Sequence, residues 1–168
     1  MTGEHVELRP LDEHLLAALL ETAVADSDPA AVMPTAEASA EWTPTLRDAF
    51  LRFHRERSLA DPGSRMETTY VVIVGSSVAG AARLQAHAGG ESVDTGVWLG
   101  RSHRNRGIGT AVLRLVLAAA RGTDARRLLA HTTADNLAAQ HLLRRAGAHL
   151  EPVGDGTVRA TLELAAPR

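Results

Sequence analysis

Residues 97–109, Val-Trp-Leu-Gly-Arg-Ser-His-Arg-Asn-Arg-Gly-Ile-Gly, run directly into a helical segment, Thr110 to Arg121. No other junction constrains the chain as much. An apolar strand turns through a basic, glycine-containing loop and opens a helix whose first-turn amides have no partners inside that helix. Such an end attracts anions, because free N–H groups and the positive end of the helix dipole point outward together. Arg104 and Arg106 flank it, and Gly107 and Gly109 let a ligand approach the backbone. The stretch therefore reads as a phosphate site placed late in the chain.

Several function classes drop out on composition. A chain of 168 residues, 45% hydrophobic and 23% charged, is expected to form one globular domain over residues 1–168. A formal net charge of −2 provides no bulk attraction for nucleic acid or for an anionic membrane, so neither is expected as a partner. The absence of cysteine excludes disulfides, thiolate metal sites and cysteine nucleophiles. The longest apolar run, Leu115 to Ala120, is far too short to span a bilayer, and a cytoplasmic location is expected.

The order of elements can be read from spacing. Val6 and Leu8 alternate with Glu7 and Arg9 as a first strand, and Leu15, Leu16, Leu19, Leu20 and Ala23 recur at helical intervals after Asp12. Asp26 to Trp42 has too few apolar positions for an element of its own and reads as a connection or lid. Thr43-Pro44 starts a second helix with its stripe on Leu46, Phe50 and Phe53, and Asp61-Pro62-Gly63 stops it. Thr69 to Val74 and Val78 to Ala86 form a hairpin through Gly75-Ser76-Ser77, and Glu91 to Leu99 is a third strand with Asp94 and Trp98 on one face. The next helix should bury Ile108, Val112, Leu115, Val116 and Ala119, before a buried strand at Leu128 to Thr132. Asp135-Asn136 caps a helix with Ala139, Leu142, Leu143 and Ala146 on its apolar face. A final hairpin turns on Gly154-Asp155-Gly156. This order implies an α/β (α+β) domain: a mixed, mostly antiparallel sheet of about seven strands flanked by about four helices.

Residue types separate the phosphate-binding readings of the loop. A Walker loop needs Lys and then Ser or Thr after its last glycine, whereas Thr110-Ala111 follows Gly109. A dinucleotide fingerprint needs a small residue where this chain has Val112. What remains is Arg104-x-x-Gly107-x-Gly109 after an antiparallel meander. With that motif in place the chain resembles the GNAT superfamily of acyl-CoA-dependent N-acetyltransferases, whose signature is Gln or Arg, two residues, Gly, one residue, Gly or Ala. Leu8-Arg9-Pro10-Leu11, Asp94-Thr95-Gly96-Val97-Trp98-Leu99 and the run from Asn136 to Gly147 are similar to the branch that acetylates the α-amino groups of ribosomal proteins.

The resemblance implies acetyl-CoA as cosubstrate. Its pyrophosphate would lie on the amides of Asn105, Arg106, Gly107, Ile108, Gly109 and Thr110. Its pantetheine arm would lie along Val97, Trp98 and Leu99, where the fourth strand splays from the fifth. Asn136 is fully explained as an N-cap, and the resemblance adds a hydrogen bond to pantetheine. Asp94 is either a solvated strand residue or the general base, and His131 either a sheet histidine or a second candidate for that role. The chain departs from its relatives at Leu143 and Ala139, where they carry Tyr or Ser, so the general acid is unassigned. No histidines stand at metal-ligand spacing, and no metal is expected. The acceptor is an amine, a peptide N-terminus or a small molecule, attacking directly in a ternary complex; the last strands are where a homodimer would form. The competing reading is a non-catalytic acyl-CoA-binding or regulatory module.

Overall fold

The computed structural model describes residues 3–33, 41–63 and 67–164. Its elements are β1 (Val6–Pro10), α1 (Glu13–Asp26), α2 (Pro29–Val32), α3 (Pro44–His54), β2 (Thr68–Val74), β3 (Ser77–Ala86), β4 (Ser92–Leu99), α4 (Ile108–Arg121), β5 (Arg127–Thr133), α5 (Leu137–Arg145), β6 (His149–Gly154) and β7 (Thr157–Glu163). The seven strands hydrogen-bond in the order β1-β2-β3-β4-β5-β7-β6, mostly antiparallel, with β4 and β5 the parallel pair. Chain contacts define two compact units, Met1–Arg83 with Val97–Val112, and Leu84–Gly96 with Leu113–Arg168.

In the first unit β1 runs antiparallel to β2, from Val6 opposite Val74 to Pro10 opposite Tyr70. Asp12 starts α1 by accepting a hydrogen bond from Leu15 N at 2.7 Å, and Thr43 starts α3 by accepting from Leu46 N at 3.2 Å. Leu16, Leu19 and Ala23 of α1 meet Phe50, Val71, Ile73 and Ala81 in one buried cluster, with Trp42 and Trp98 packed at its margin. Burying each of Leu16, Leu19 and Phe50, all fully enclosed, contributes roughly 1.5–3 kcal/mol. Beyond His54 the helical path widens into a π-turn over Arg55–Leu59 and ends at Ala60, just before the Asp61-Pro62-Gly63 stop. The buried Glu67 carboxylate binds Arg57 at 3.2 Å and lies 3.6 Å from Arg83, which ties this turn to β2 and β3.

In the second unit β4 pairs in parallel with β5, from Ser92 opposite Arg127 to Thr95 opposite Ala130, and β5 pairs antiparallel with β7 along its whole length. A parallel pair requires a long crossover, and α4 lies within it. The register gives this part of the sheet two different faces. Val93, Leu128, Ala130, Val158, Ala160 and Leu162 form the buried apolar face. Asp94, Leu129, His131, Arg159 and Thr161 occupy the opposite face, joined from β6 by His149 and Glu151. The β6–β7 turn consists of Asp155 and Gly156 at φ +49° and +72°, the left-handed pair that suits a tight hairpin.

Four expectations need correction. The described residues hold five helices, in keeping with the expected architecture, but α2 lies inside the stretch expected to lack an element. Pro29 follows Asp28 at the first helical position, and both Pro29 and Val32 are buried, so a single turn is stabilised by packing and shows no periodicity. Residues 34–40 of the expected connection lie outside the described residues. In α4 the buried positions are Ile108, Val112, Leu113, Val116, Leu117 and Ala120, while Leu115 and Ala119 are only half-buried. In α5, Ala146 is exposed and Gln140 is buried. Ser77 belongs to β3, so the β2–β3 turn contains only Gly75 and Ser76, with Gly75 at φ +60°.

Candidate functional site

The first unit carries the end of β4, the basic loop and the start of α4. Gly100 N donates to Ala79 O at 2.8 Å, so its amide faces β3. Alternation then directs the polar groups of Trp98 toward β3 and those of Val97 and Leu99 away from it. Gly80 on β3 makes this approach possible: a Cβ there would stand 2.0 Å from Trp98 O. Of the groups turned away from β3, the Leu99 carbonyl is occupied, accepting from Arg104 Nε at 3.0 Å. Val97 is 44% exposed, unusual for a β-branched strand residue.

The loop enters α4 through two left-handed residues, Asn105 at φ +58° and Gly107 at φ +77°. A Cβ on Gly107 would touch no protein atom, so within the protein it is the backbone angle, rather than crowding, that calls for glycine. The first backbone bond of α4 runs from Ala111 N to Gly107 O at 3.3 Å, and the amides of Ile108, Gly109 and Thr110 lie in the first turn ahead of it. The arginines do not stand ready as free cations: Arg104 is on Leu99 O, and Arg106 donates to Ser102 O at 3.1 Å and to the Glu4 carboxylate. Arg101 pairs with Asp28 at 2.5 Å. The loop thus offers anions a row of oriented backbone dipoles together with the charge of Arg104, which a neutral carbonyl does not cancel.

The second unit carries the titratable candidates. Asp94 Oδ2 lies 2.6 Å from His87 Nε2, and Asp94 Oδ1 is buried with no hydrogen-bond partner among the described residues. His87 is the more exposed of the two, at 46% against 23%. A carboxylate accepts only, so in this contact His87 Nε2 is the donor. His131 is exposed on β5 opposite Arg159 and shares the polar face with Asp94. Asn136 caps α5, its Oδ1 accepting from Ala139 N at 3.1 Å. The buried Gln140 donates to Thr133 O and Ala134 O at 3.0 Å each, fixing the end of β5 to α5. Leu143 is in the core and Ala139 is half-buried; neither can give a proton.

Residue spacing gave no sign of His87, whose partner becomes visible only through the turn at Gly89 and Gly90, with φ +93° and +74°. The polar face is mixed in sign: Glu151 pairs with Arg159 at 2.9 Å, and Asp94 faces a histidine. A groove of about 520 Å³, lined by Arg127, His149, Thr161 and Glu163 among others, contains none of the residues expected at the site. Among the described residues no group of three or more His, Asp or Glu is placed to hold a metal, and no helix is long and apolar enough to cross a membrane.

Known proteins share this architecture. An acetyltransferase from Salmonella typhimurium, which modifies the N-terminal serine of 50S ribosomal subunit protein L7/L12, is 20% identical with a TM-score of 0.73, each chain covered over 94%. RimL, a ribosomal L7/L12 alpha-N-protein acetyltransferase solved with coenzyme A, is 19% identical with a TM-score of 0.71, each chain covered over 96%. The protein yncA from Salmonella typhimurium, solved with its cofactor acetyl-CoA, is 21% identical with a TM-score of 0.65, over 97% of this chain and 98% of its own. No curated protein matches in sequence. The acetyltransferase (GNAT) domain family matches residues 5–149, which include the strand, the loop and the capped helix, and the chain belongs to that family of acetyl-CoA-dependent N-acetyltransferases.

Proposed function

We propose that the protein transfers the acetyl group of acetyl-CoA to a primary amine, by direct attack in a ternary complex. The observation that carries this reading is the loop of the first unit, with left-handed Asn105 and Gly107 leading into the open first turn of α4. The amides of Asn105 to Thr110 would take the pyrophosphate, with Arg104 and Arg106 bracing the loop from within. Val97, whose N–H and C=O point away from β3, and the Leu99 N–H would pair with the amides of the pantetheine arm; Trp98 contributes by fixing β4 against β3. Asn136, whose Oδ1 is engaged as a cap, would use its amide NH₂ toward the same arm. Acetyl-CoA supplies the activated thioester.

The amine must lose a proton before it attacks. Asp94 and His131 are the candidate acceptors, and the contact with His87 makes Asp94 one half of a carboxylate–imidazole pair. With Ala139 and Leu143 unable to donate, the thiolate would leave without a dedicated acid. The paired charges of the polar face favour an acceptor with a single amino group, such as a peptide N-terminus or a small metabolite, over a polycation. A protein N-terminus is also what two of the structural relatives act on. β6 is the sheet edge at which a second copy would associate.

Calorimetry with CoA, followed by thiol release from acetyl-CoA with a panel of amines and peptide N-termini, tests the proposal. Binding with turnover on at least one amine is expected, and no CoA binding would refute it. The missing hydroxyls at Ala139 and Leu143 favour a second reading, a non-catalytic acyl-CoA-binding module, which predicts CoA binding without turnover on any amine.

A further inference from the structure

The phosphate loop is anchored from outside itself. Asp26, the last residue of α1, sends its carboxylate to the start of the loop, where Ser102 N donates to Oδ1 at 3.2 Å and to Oδ2 at 3.1 Å. Ser102 Oγ donates to the same Oδ2 at 2.6 Å, and His103 Nδ1 lies 3.7 Å away. The carboxylate occupies the space where a residue other than glycine at position 100 would place its Cβ, 2.3 Å from Oδ2. Gly100 and Asp26 are therefore matched: the absent side chain makes room for the acid. Two more ties run from the same connection, Asp28 to Arg101 at 2.5 Å and the Ser27 carbonyl to Trp42 Nε1 at 2.9 Å. Burial alone would raise the Asp26 pKa. The Ser102 hydroxyl and amide, with His103 and Arg101 nearby, outweigh it and hold the carboxyl below its ordinary range, so the acid stays charged.

A fixed negative charge beside a loop that takes a polyanion is electrostatically unfavourable, and needs a compensating role. We infer that Asp26 is a positioning residue for acetyl-CoA: seated against Gly100, it holds Ser102 and so sets the geometry of the loop whose amides grip the pyrophosphate. Donor affinity then depends on an acid at the end of α1, and the loop is tied to the connection that leads to Trp42. The inference rests on the acetyl-transfer reading of the loop.

Two causes predict opposite signs, which makes the test decisive. Were Asp26 only a nearby charge, Asp26→Asn would tighten CoA binding by removing repulsion. As a positioning residue, Asp26→Asn weakens CoA binding by about tenfold, the equivalent of roughly one charge-assisted hydrogen bond. Calorimetry with CoA at fixed ionic strength measures this. Unliganded melting curves show whether the isosteric variant is folded, and steady-state kinetics should show a raised KM for acetyl-CoA with kcat and the amine KM unchanged. Gly100→Ala should weaken CoA binding to a similar extent, and adding it to Asp26→Ala should cause no further loss, since the carboxylate it would displace is gone. Asp26→Asn binding CoA as tightly as wild type or tighter, or additive effects of Gly100→Ala and Asp26→Ala, would overturn the inference. A wild-type chain unable to bind CoA would instead refute the acetyl-transfer reading itself.

Discussion

His54 should make the stability of this protein depend on pH in a way that one substitution removes. Its side chain is buried, its ring lies 4.6 Å from Phe50 and 5.2 Å from Phe53 between centroids, and neither ring nitrogen has a hydrogen-bond partner among the described residues. Burial, with a smaller effect from Arg57, lowers its pKa from 6.5 to about 4. The unfolded chain takes up this proton as pH falls through 6.5, while the native state refuses it down to about 4. The stability is therefore fully present above 6.5 and is lost progressively between 6.5 and 4. At about 1.4 kcal/mol per pH unit, the loss amounts to about 2 kcal/mol at pH 5 and about 3 kcal/mol by pH 4, a large part of the 5–15 kcal/mol typical of a domain. Urea denaturation of wild type and His54→Leu at pH 7.5 and pH 5 isolates the effect from every other titrating group. His54→Leu should be close to neutral at pH 7.5, where it removes two unpaired polar atoms, and should narrow the wild-type pH dependence by about 2 kcal/mol. Parallel pH dependence in the two proteins would refute the assignment.

Gly80→Ala forces a methyl to within 2.0 Å of Trp98 O and so must part β3 from β4; a stability loss of at least about 3 kcal/mol is expected by thermal melting, and an unchanged melting temperature would contradict the packing described. Gly107→Ala meets no steric neighbour but sits at φ +77°. It should lower stability by about 1–2 kcal/mol and weaken CoA binding in calorimetry, with Gly107→Asn milder on both counts. Asp94→Asn and His87→Gln should each lower kcat by roughly 10²–10³ while CoA affinity holds. If His131→Gln alone reproduces that loss, the proton acceptor lies on β5.

What could be read from the sequence follows from how local each interaction is. The starts of α1 and α3 were legible because Asp12 and Thr43 bond amides three residues away. The Asp-Gly turn of the last hairpin was legible because the backbone there needs φ above zero. The basic glycine loop and its flanking motifs carried the family. α2 escaped because one helical turn has no period, and Gln140 because a polar residue gives no hint that two carbonyls await it. The His87–Asp94 contact depends on strand register, and the bond from Ser102 to Asp26 joins residues 76 positions apart. The carboxylate partners of the loop arginines escape for the same reason: Asp28 is 73 positions from Arg101 and Glu4 is 102 from Arg106.

The engagement of those arginines also bears on how the loop responds to salt. A site that attracts a polyphosphate with unpaired charges loses affinity steeply as ions screen it. Arg101, Arg104 and Arg106 are held by Asp28, by the Leu99 carbonyl, and by Ser102 O with Glu4. Carboxylates offset the charges of Arg101 and Arg106 before a ligand arrives, Arg104 keeps its charge against a neutral carbonyl, and on the proposed reading short-range amide dipoles would do most of the gripping. Capture of the donor should therefore fall with ionic strength less steeply than three unpaired arginines would make it, by about the share that one uncompensated charge leaves.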